Sequence, residues 1–172
     1  MTTQILKYKD ILKFATDAHG DQKRKYTNKL YITHPIEVAK LVEEEINTSF
    51  TKSIPHFESM IYASLLHDVL EDTEVTYEEL RVFLFRTLTL DKAKKTLDLV
   101  IELTDIFTTE SFPELNRAKR KDLEATRLGG VSLEAKLIKR MDMIHNTKSI
   151  LQNDPKFAKV YLKEKNHLLK FL

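Results

Sequence analysis

Apolar residues in this chain recur at steps of three and four, as in Ile5, Tyr8, Leu12 and Ala15 and again in Leu97, Val100, Ile101 and Thr104. That spacing lines one face of an α-helix and does not suit a strand. Little interrupts it, because the 172 residues include only three glycines and four prolines. The breakers fall where helices start or stop: Pro35 suits a first turn, Pro55 and Pro113 sit near helix starts, Gly129-Gly130 ends a helix, and Asn153-Asp154-Pro155 caps and opens the last. The pattern predicts an all-α chain with helices over 4–19, 35–47, 56–71, 76–87, 91–104, 112–127, 131–150 and 155–170. A chain of this length supports one sizeable core and not two, so residues 1–172 are expected to form a single compact domain of about eight helices.

Charge and cysteine content narrow the chemistry. With 28 basic and 26 acidic side chains, nothing calls for nucleic acid, a membrane surface or a polyanion as partner, and any anion site must be local. Cysteine is absent, which excludes disulfides, thiolate metal sites and cysteine nucleophiles and leaves His, Asp and Glu as charged ligands. No run of about 18 apolar residues occurs, and Met1-Thr2-Thr3-Gln4 carries no basic region followed by an apolar core. The expectation is a cytoplasmic protein.

The densest chemistry lies in Leu65-Leu66-His67-Asp68-Val69-Leu70-Glu71-Asp72. At about 100° per residue, positions 67, 68, 71 and 72 of a continuous helix share an arc of roughly 140°. Like charges about 4 Å apart repel by something on the order of 4 kcal/mol at an effective dielectric near 20. The apolar run Met60 to Leu66 just upstream implies partial burial, so a divalent cation is one way to relieve the repulsion. A solvated acidic helix end paired with lysines is the other.

One helix face cannot complete a metal shell, so further ligands must come from elsewhere. Two candidates stand out. His34 lies in Tyr31-Ile32-Thr33-His34-Pro35, where proline fixes the backbone beside the imidazole. Asp142 shares one face of an otherwise apolar helix with Lys139, His145 and Asn146, and polar groups there need partners. Residues 20–34 form the longest stretch without helical periodicity and hold Lys23, Arg24, Lys25, Tyr26 and Tyr31, marking a functional loop. Asn116 to Lys121 is a basic run with Arg117 and Lys121 one turn apart, read either as solvated surface or as a phosphate clamp.

Five motifs in order carry a family resemblance: Phe14-Ala15-Thr16-Asp17-Ala18-His19, Gln22-Lys23-Arg24-Lys25, Tyr31-Ile32-Thr33-His34-Pro35, Leu66-His67-Asp68-Val69-Leu70-Glu71-Asp72-Thr73, and Lys139-Arg140-Met141-Asp142 with His145-Asn146. The chain resembles the HD-domain metal-dependent phosphohydrolases, and within them the hydrolase domain of the RelA/SpoT family and the small alarmone hydrolases. The resemblance implies an HD-type helical domain around a metal, typically Mn2+, held by His34, His67, Asp68 and Asp142. It implies Glu71 and Asp72 as the catalytic acidic pair, Arg24 stacked on the nucleobase, Lys25 at the base or a phosphate, and Asn146 at the nucleoside. Lys139 is expected among the substrate-binding residues, and Arg117 is expected there through the phosphate-clamp reading of its basic run. The implied reaction is hydrolysis of the 3′-diphosphate of a guanosine alarmone such as ppGpp, releasing pyrophosphate and GDP or GTP. An adenosine alarmone or another nucleotide phosphoester is the alternative substrate, and a nucleotide-binding regulator is the non-catalytic one. The turn Tyr26-Thr27-Asn28-Lys29-Leu30 departs from the Ser-Gly-Glu-Pro-like turn of many members: Asn28 can replace glycine in left-handed backbone, and Lys29 changes the charge beside the base pocket.

Overall fold

The computed structural model describes residues 8–49 and 55–172. The expected helix start at residue 4, with Ile5, and the reading of residues 1–4 lie outside the described residues. Among the described residues nine helices follow in order: α1 Lys9–His19, α2 Thr33–Ser49, α3 Phe57–Leu66, α4 Val69–Asp72, α5 Tyr77–Thr87, α6 Leu90–Leu103, α7 Arg117–Gly129, α8 Leu133–Asn153 and α9 Pro155–Leu168. The only β pairing among the described residues is an isolated antiparallel bridge between Lys23 and Leu30.

Helix α3 is the hub. Every residue from Ser59 to Leu66 is buried, as expected of a helix apolar on all sides and enclosed by neighbours. Helices α1, α2, α6 and α8 pack around it, contributing Ile11, Val38, Val42, Leu99, Leu103 and Ile138 to one core. Each fully buried Leu or Ile of that set is worth about 1.5–3 kcal/mol of transfer free energy. Helix α5 leans on α6, and α9 lies against α7 and α8.

Local chemistry sets the helix ends. Thr76 and Glu79 form a reciprocal capping box at the start of α5. Asp154 Oδ1 accepts the Phe157 N–H at 3.0 Å while Pro155 occupies the first turn of α9. Helix α7 begins at Arg117 and not near 112, because the Asn116 side chain takes the Lys119 N–H at 2.9 Å and caps it there. Helix α2 begins two residues earlier than the periodicity predicts, with Pro35 inside its first turn.

The expected helix over 56–71 is divided into α3 and α4 at His67-Asp68. The Ser64 carbonyl, where a continuing helix would receive a backbone N–H, instead accepts the His67 ring Nδ1–H at 2.9 Å. Asn28 does adopt left-handed backbone, with φ 55°. Around it, residues 22–31 close into a small hairpin through Arg24 N–H to Lys29 O at 2.9 Å and Tyr31 N–H to Gln22 O at 2.8 Å.

Candidate active site

The hairpin, the α3–α4 break, the start of α2 and the middle of α8 meet at one place. One ring nitrogen each of His34 and His67 and an Asp68 carboxylate oxygen all lie within 4.8 Å of one another, with Asp68 Oδ2 3.4 Å from His34 Nε2 and 3.2 Å from His67 Nε2. Asp142 borders this trio: its Oδ1 is 3.1 Å from His34 Nε2 and 3.9 Å from His67 Nε2. Both imidazoles are enclosed, at 1% and 2% exposure.

The donor set fits a divalent cation. His67 gives its Nδ1–H to a backbone carbonyl, which can only accept, so Nε2 is the ring atom turned toward the carboxylates. That Nε2 is buried, and it has no hydrogen bond of acceptable geometry although Asp68 Oδ2 is 3.2 Å away. Two imidazole nitrogens and carboxylate oxygens converging on one point form a mixed hard and borderline site suited to manganese-like or zinc-like ions.

Electrostatics agree. Burial would raise the Asp68 carboxyl, but His67, His34 and Lys139 outweigh it and hold the group well below the usual carboxylate range. For Asp142, burial is likewise outweighed by Lys139 and the two imidazoles. Burial disfavours charge on His67, yet Asp68 and Asp142 push it up to about 9. The carboxylates therefore demand a positive neighbour, either a proton on the imidazole or a cation.

Glu71 and Asp72 stand beside this cluster with different partners. Glu71 Oε1 accepts the Asp105 N–H at 2.7 Å. The surrounding protein withholds water from its carboxyl and pushes it up to about 7, with Lys139 opposing and Asp105 and Asp68 adding. Asp72 Oδ2 is 2.6 Å from the Tyr31 hydroxyl, which also lies 2.8 Å from Asp68 Oδ2. Burial and then the two carboxylates hold that phenol protonated far above its usual range.

Lys139 is enclosed at 3.5 Å from Asp142 Oδ2 and 3.9 Å from Asp105 Oδ1. Burial opposes its charge, but Asp142, Asp105, Glu71 and Asp68 outweigh burial and keep it protonated well above the usual lysine range. Arg24 Nη2 donates to Asn146 Oδ1 at 2.7 Å, and its guanidinium sits 5.3 Å from the Tyr31 ring centroid. Lys25 lies over the Tyr26 ring at 4.9 Å. A cavity of about 360 Å³ opens here, lined by Gln22, Arg24, Lys25, Tyr31, Asn146 and Phe157. Asp72 joins it to a second cavity of about 490 Å³ that Glu71, Asp105, Arg117, Arg120 and Lys121 also line.

Arg117 is at the rim of that second cavity, where its guanidinium donates two bonds to Glu164, at 2.7 and 2.8 Å. Tyr31, Asp105 and His145 also belong to the site, and sequence pattern assigns none of them a role there. Tyr31 joins Asp68 and Asp72, Asp105 ties Glu71, and His145 Nδ1 lies 2.6 Å from His34 Nδ1. Burial, then His34 and Arg24, push His145 down to about 4. Tyr31 belongs to the Tyr31-Ile32-Thr33-His34-Pro35 run, whereas nothing in the sequence spacing marks Asp105. His19 packs its ring on Tyr31 at 4.6 Å and pairs through Nδ1 with Gln22 Oε1 at 2.8 Å.

Compared with models of protein families, the chain matches none. Among curated proteins it is similar to the Xenopus tropicalis guanosine-3′,5′-bis(diphosphate) 3′-pyrophosphohydrolase MESH1, 31% identical over 143 residues that cover 83% of this chain and 68% of that protein. The human MESH1 is also 31% identical, over the same shares of the two chains. A stretch of 69 residues is 46% identical to the Aquifex aeolicus guanosine-3′,5′-bis(diphosphate) 3′-pyrophosphohydrolase, covering 40% of this chain and 8% of that one. Among solved structures, a metazoan ortholog of SpoT that hydrolyzes ppGpp superposes with a TM-score of 0.74 at 25% identity, covering 96% of this chain and 84% of the other. The all-α architecture, the gathered His34, His67 and Asp68, and a relative matched over two thirds of its length together place this chain in the HD-type alarmone hydrolase family of the MESH1 guanosine-3′,5′-bis(diphosphate) 3′-pyrophosphohydrolases.

Proposed function

We propose that this chain hydrolyses the 3′-diphosphate of ppGpp with a bound Mn2+, releasing pyrophosphate and GDP. The observation that carries the reading is the convergence of His34, His67 and Asp68, bordered by Asp142, with two further carboxylates, Glu71 and Asp72, beside them. His34, His67, Asp68 and Asp142 are the residues that hold the ion. When bound, such an ion polarises a phosphoryl oxygen and activates water for attack at phosphorus.

The chain's own groups do the rest. Glu71, with a carboxyl that titrates near neutrality, takes the proton from the attacking water. Asp72, held by the Tyr31 hydroxyl, orients that water. Lys139 keeps its charge and faces the phosphoryl group. Arg24 and Lys25 hold the nucleobase against the cavity wall they share with Tyr31 and Phe157, and Asn146 contacts the nucleoside. Arg117, at the rim of the neighbouring cavity, meets the outer phosphate. A cytoplasmic setting belongs to the same reading. Among the described residues no helix is long and apolar enough to cross a membrane.

The test is product analysis on ppGpp and ppApp with Mn2+-loaded protein and its Asp68→Ala variant. Pyrophosphate and GDP from ppGpp, absent with the variant, are the expected result. Intact ppGpp with folded, metal-loaded protein would overturn the reading, and turnover of ppApp alone would move it to the adenosine alarmone.

A further inference from the structure

We propose that His145 is a positioning residue that fixes the tautomer of His34 and thereby its grip on the cation; this rests on the reading that His34 is a ligand. The two Nδ1 atoms are 2.6 Å apart and the rings meet edge to edge, close to coplanar, with centroids 4.8 Å apart at 26°. Two ring nitrogens that close share one proton, since two protons clash and two lone pairs repel.

Which ring carries it decides what His34 can do. With the shared proton on His34, its Nε2 is a bare lone pair, 3.1 Å from Asp142 Oδ1 and 3.4 Å from Asp68 Oδ2, where it can bind a cation. With the shared proton on His145, the His34 Nε2 carries a hydrogen and donates to Asp142, and it cannot be a ligand. His34 is 1% exposed, so no solvent molecule replaces the missing acceptor at its Nδ1. The ring is further confined by edge contacts with Tyr31, at 5.9 Å, and His67, at 5.2 Å. His67 has a backbone carbonyl in the equivalent place, the Ser64 oxygen, which only accepts. His34 has in that place the half-buried imidazole of His145, whose Nδ1 accepts the shared proton when that ring carries its own hydrogen on the far nitrogen.

The experiment is calorimetric titration of Mn2+ into wild-type protein and the variants His34→Ala, His145→Phe and His145→Gln, each checked by thermal melting. Phenylalanine keeps an aromatic ring and cannot accept a proton; glutamine gives up the ring and keeps an acceptor. His145→Phe is expected to weaken Mn2+ binding about 10–100-fold, with His145→Gln recovering most of the loss. A second readout is the His34 ring ¹⁵N spectrum with diamagnetic Zn2+, in which Nδ1 is protonated in the wild type and in His145→Gln. Wild-type affinity in His145→Phe, or equal weakening by Phe and Gln, overturns the inference. Undiminished binding in His34→Ala instead overturns the ligand assignment beneath it.

Discussion

The Arg24 guanidinium donates to Asn146 Oδ1 at 2.7 Å across 122 residues of sequence. The same Asn146 donates from Nδ2 to Asp142 Oδ1 at 2.6 Å. The amide orientation is forced, because arginine only donates and an ionised carboxylate only accepts. One side chain therefore ties the proposed base-binding arginine to a proposed metal ligand. Replacing Asn146 with Leu should weaken Mn2+ binding about 10–100-fold, as loss of a ligand's supporting hydrogen bond does, and raise KM as well. Arg24→Met should raise KM and leave Mn2+ affinity within about twofold, since Asn146 retains its bond to Asp142. Calorimetry with Mn2+ and steady-state kinetics on ppGpp check both; equal metal affinity in the wild type and Asn146→Leu would break the link.

Tyr31 offers one hydroxyl proton to two carboxylates, Asp72 at 2.6 Å and Asp68 at 2.8 Å. Hydrogen bonds to charged groups are worth about 1.5–3 kcal/mol. Tyr31→Phe keeps the ring that stacks on His19 at 4.6 Å and removes that proton. The expected outcome is a kcat lower by about 10–100-fold at saturating Mn2+, with the melting temperature little changed. A kcat equal to wild type would show that Asp72 needs no such support.

The difference between what the sequence shows and what it hides follows the range of the interaction. Helix α3 is legible because its apolar run and flanking breakers are local, and His67, Asp68, Glu71 and Asp72 lie within two turns of one another. His34 is legible from the proline that fixes its backbone and Asp142 from its place on an otherwise apolar face that requires partners, although only the fold brings α2 and α8 together. Tyr31 reaches a carboxylate 37 residues away and His145 reaches an imidazole 111 residues away, and no periodicity encodes such pairs. The break at His67-Asp68 was hidden for the opposite reason: it depends on one side chain turning back to the carbonyl of Ser64. Charge spacing marks Arg117 but gives no sign of Glu164, 47 residues on, which takes the Nε and Nη2 donors of its guanidinium.

Glu71 should titrate near 7 in protein stripped of metal, held up by burial and opposed chiefly by Lys139. Because this folded value lies above the ordinary 4.5, protonation of Glu71 favours the folded chain. That contribution is complete below 4.5 and disappears as pH rises through about 7. Lys139→Met removes the opposing cation, so the Glu71 midpoint should move further up. Carboxyl ¹³C NMR across the pH range reads the midpoint directly, and an unchanged value in Lys139→Met would remove Lys139 as the group that keeps Glu71 ionisable.

Glu124 controls the site from a distance. It is 3% exposed, yet its Oε2 accepts the N–H groups of Ile106 and Phe107, each at 3.1 Å, and its Oε1 accepts Arg127 Nε at 2.6 Å. Arg127 also donates to the carbonyls of Glu102 and Thr104, at 2.9 and 3.2 Å. Together the pair pins the segment that presents the Asp105 N–H to Glu71 at 2.7 Å. Removing one partner of an enclosed ion pair leaves the other charge and the backbone donors unmatched. Glu124→Ala should therefore cost on the order of 3 kcal/mol in urea unfolding, and should lower kcat because Glu71 loses its fixed donor. Glu124→Gln keeps acceptor oxygen for the backbone but not the charge, so it should retain more kcat than Glu124→Ala. An alanine variant with wild-type stability and wild-type kcat would show that this segment holds its place without the pair.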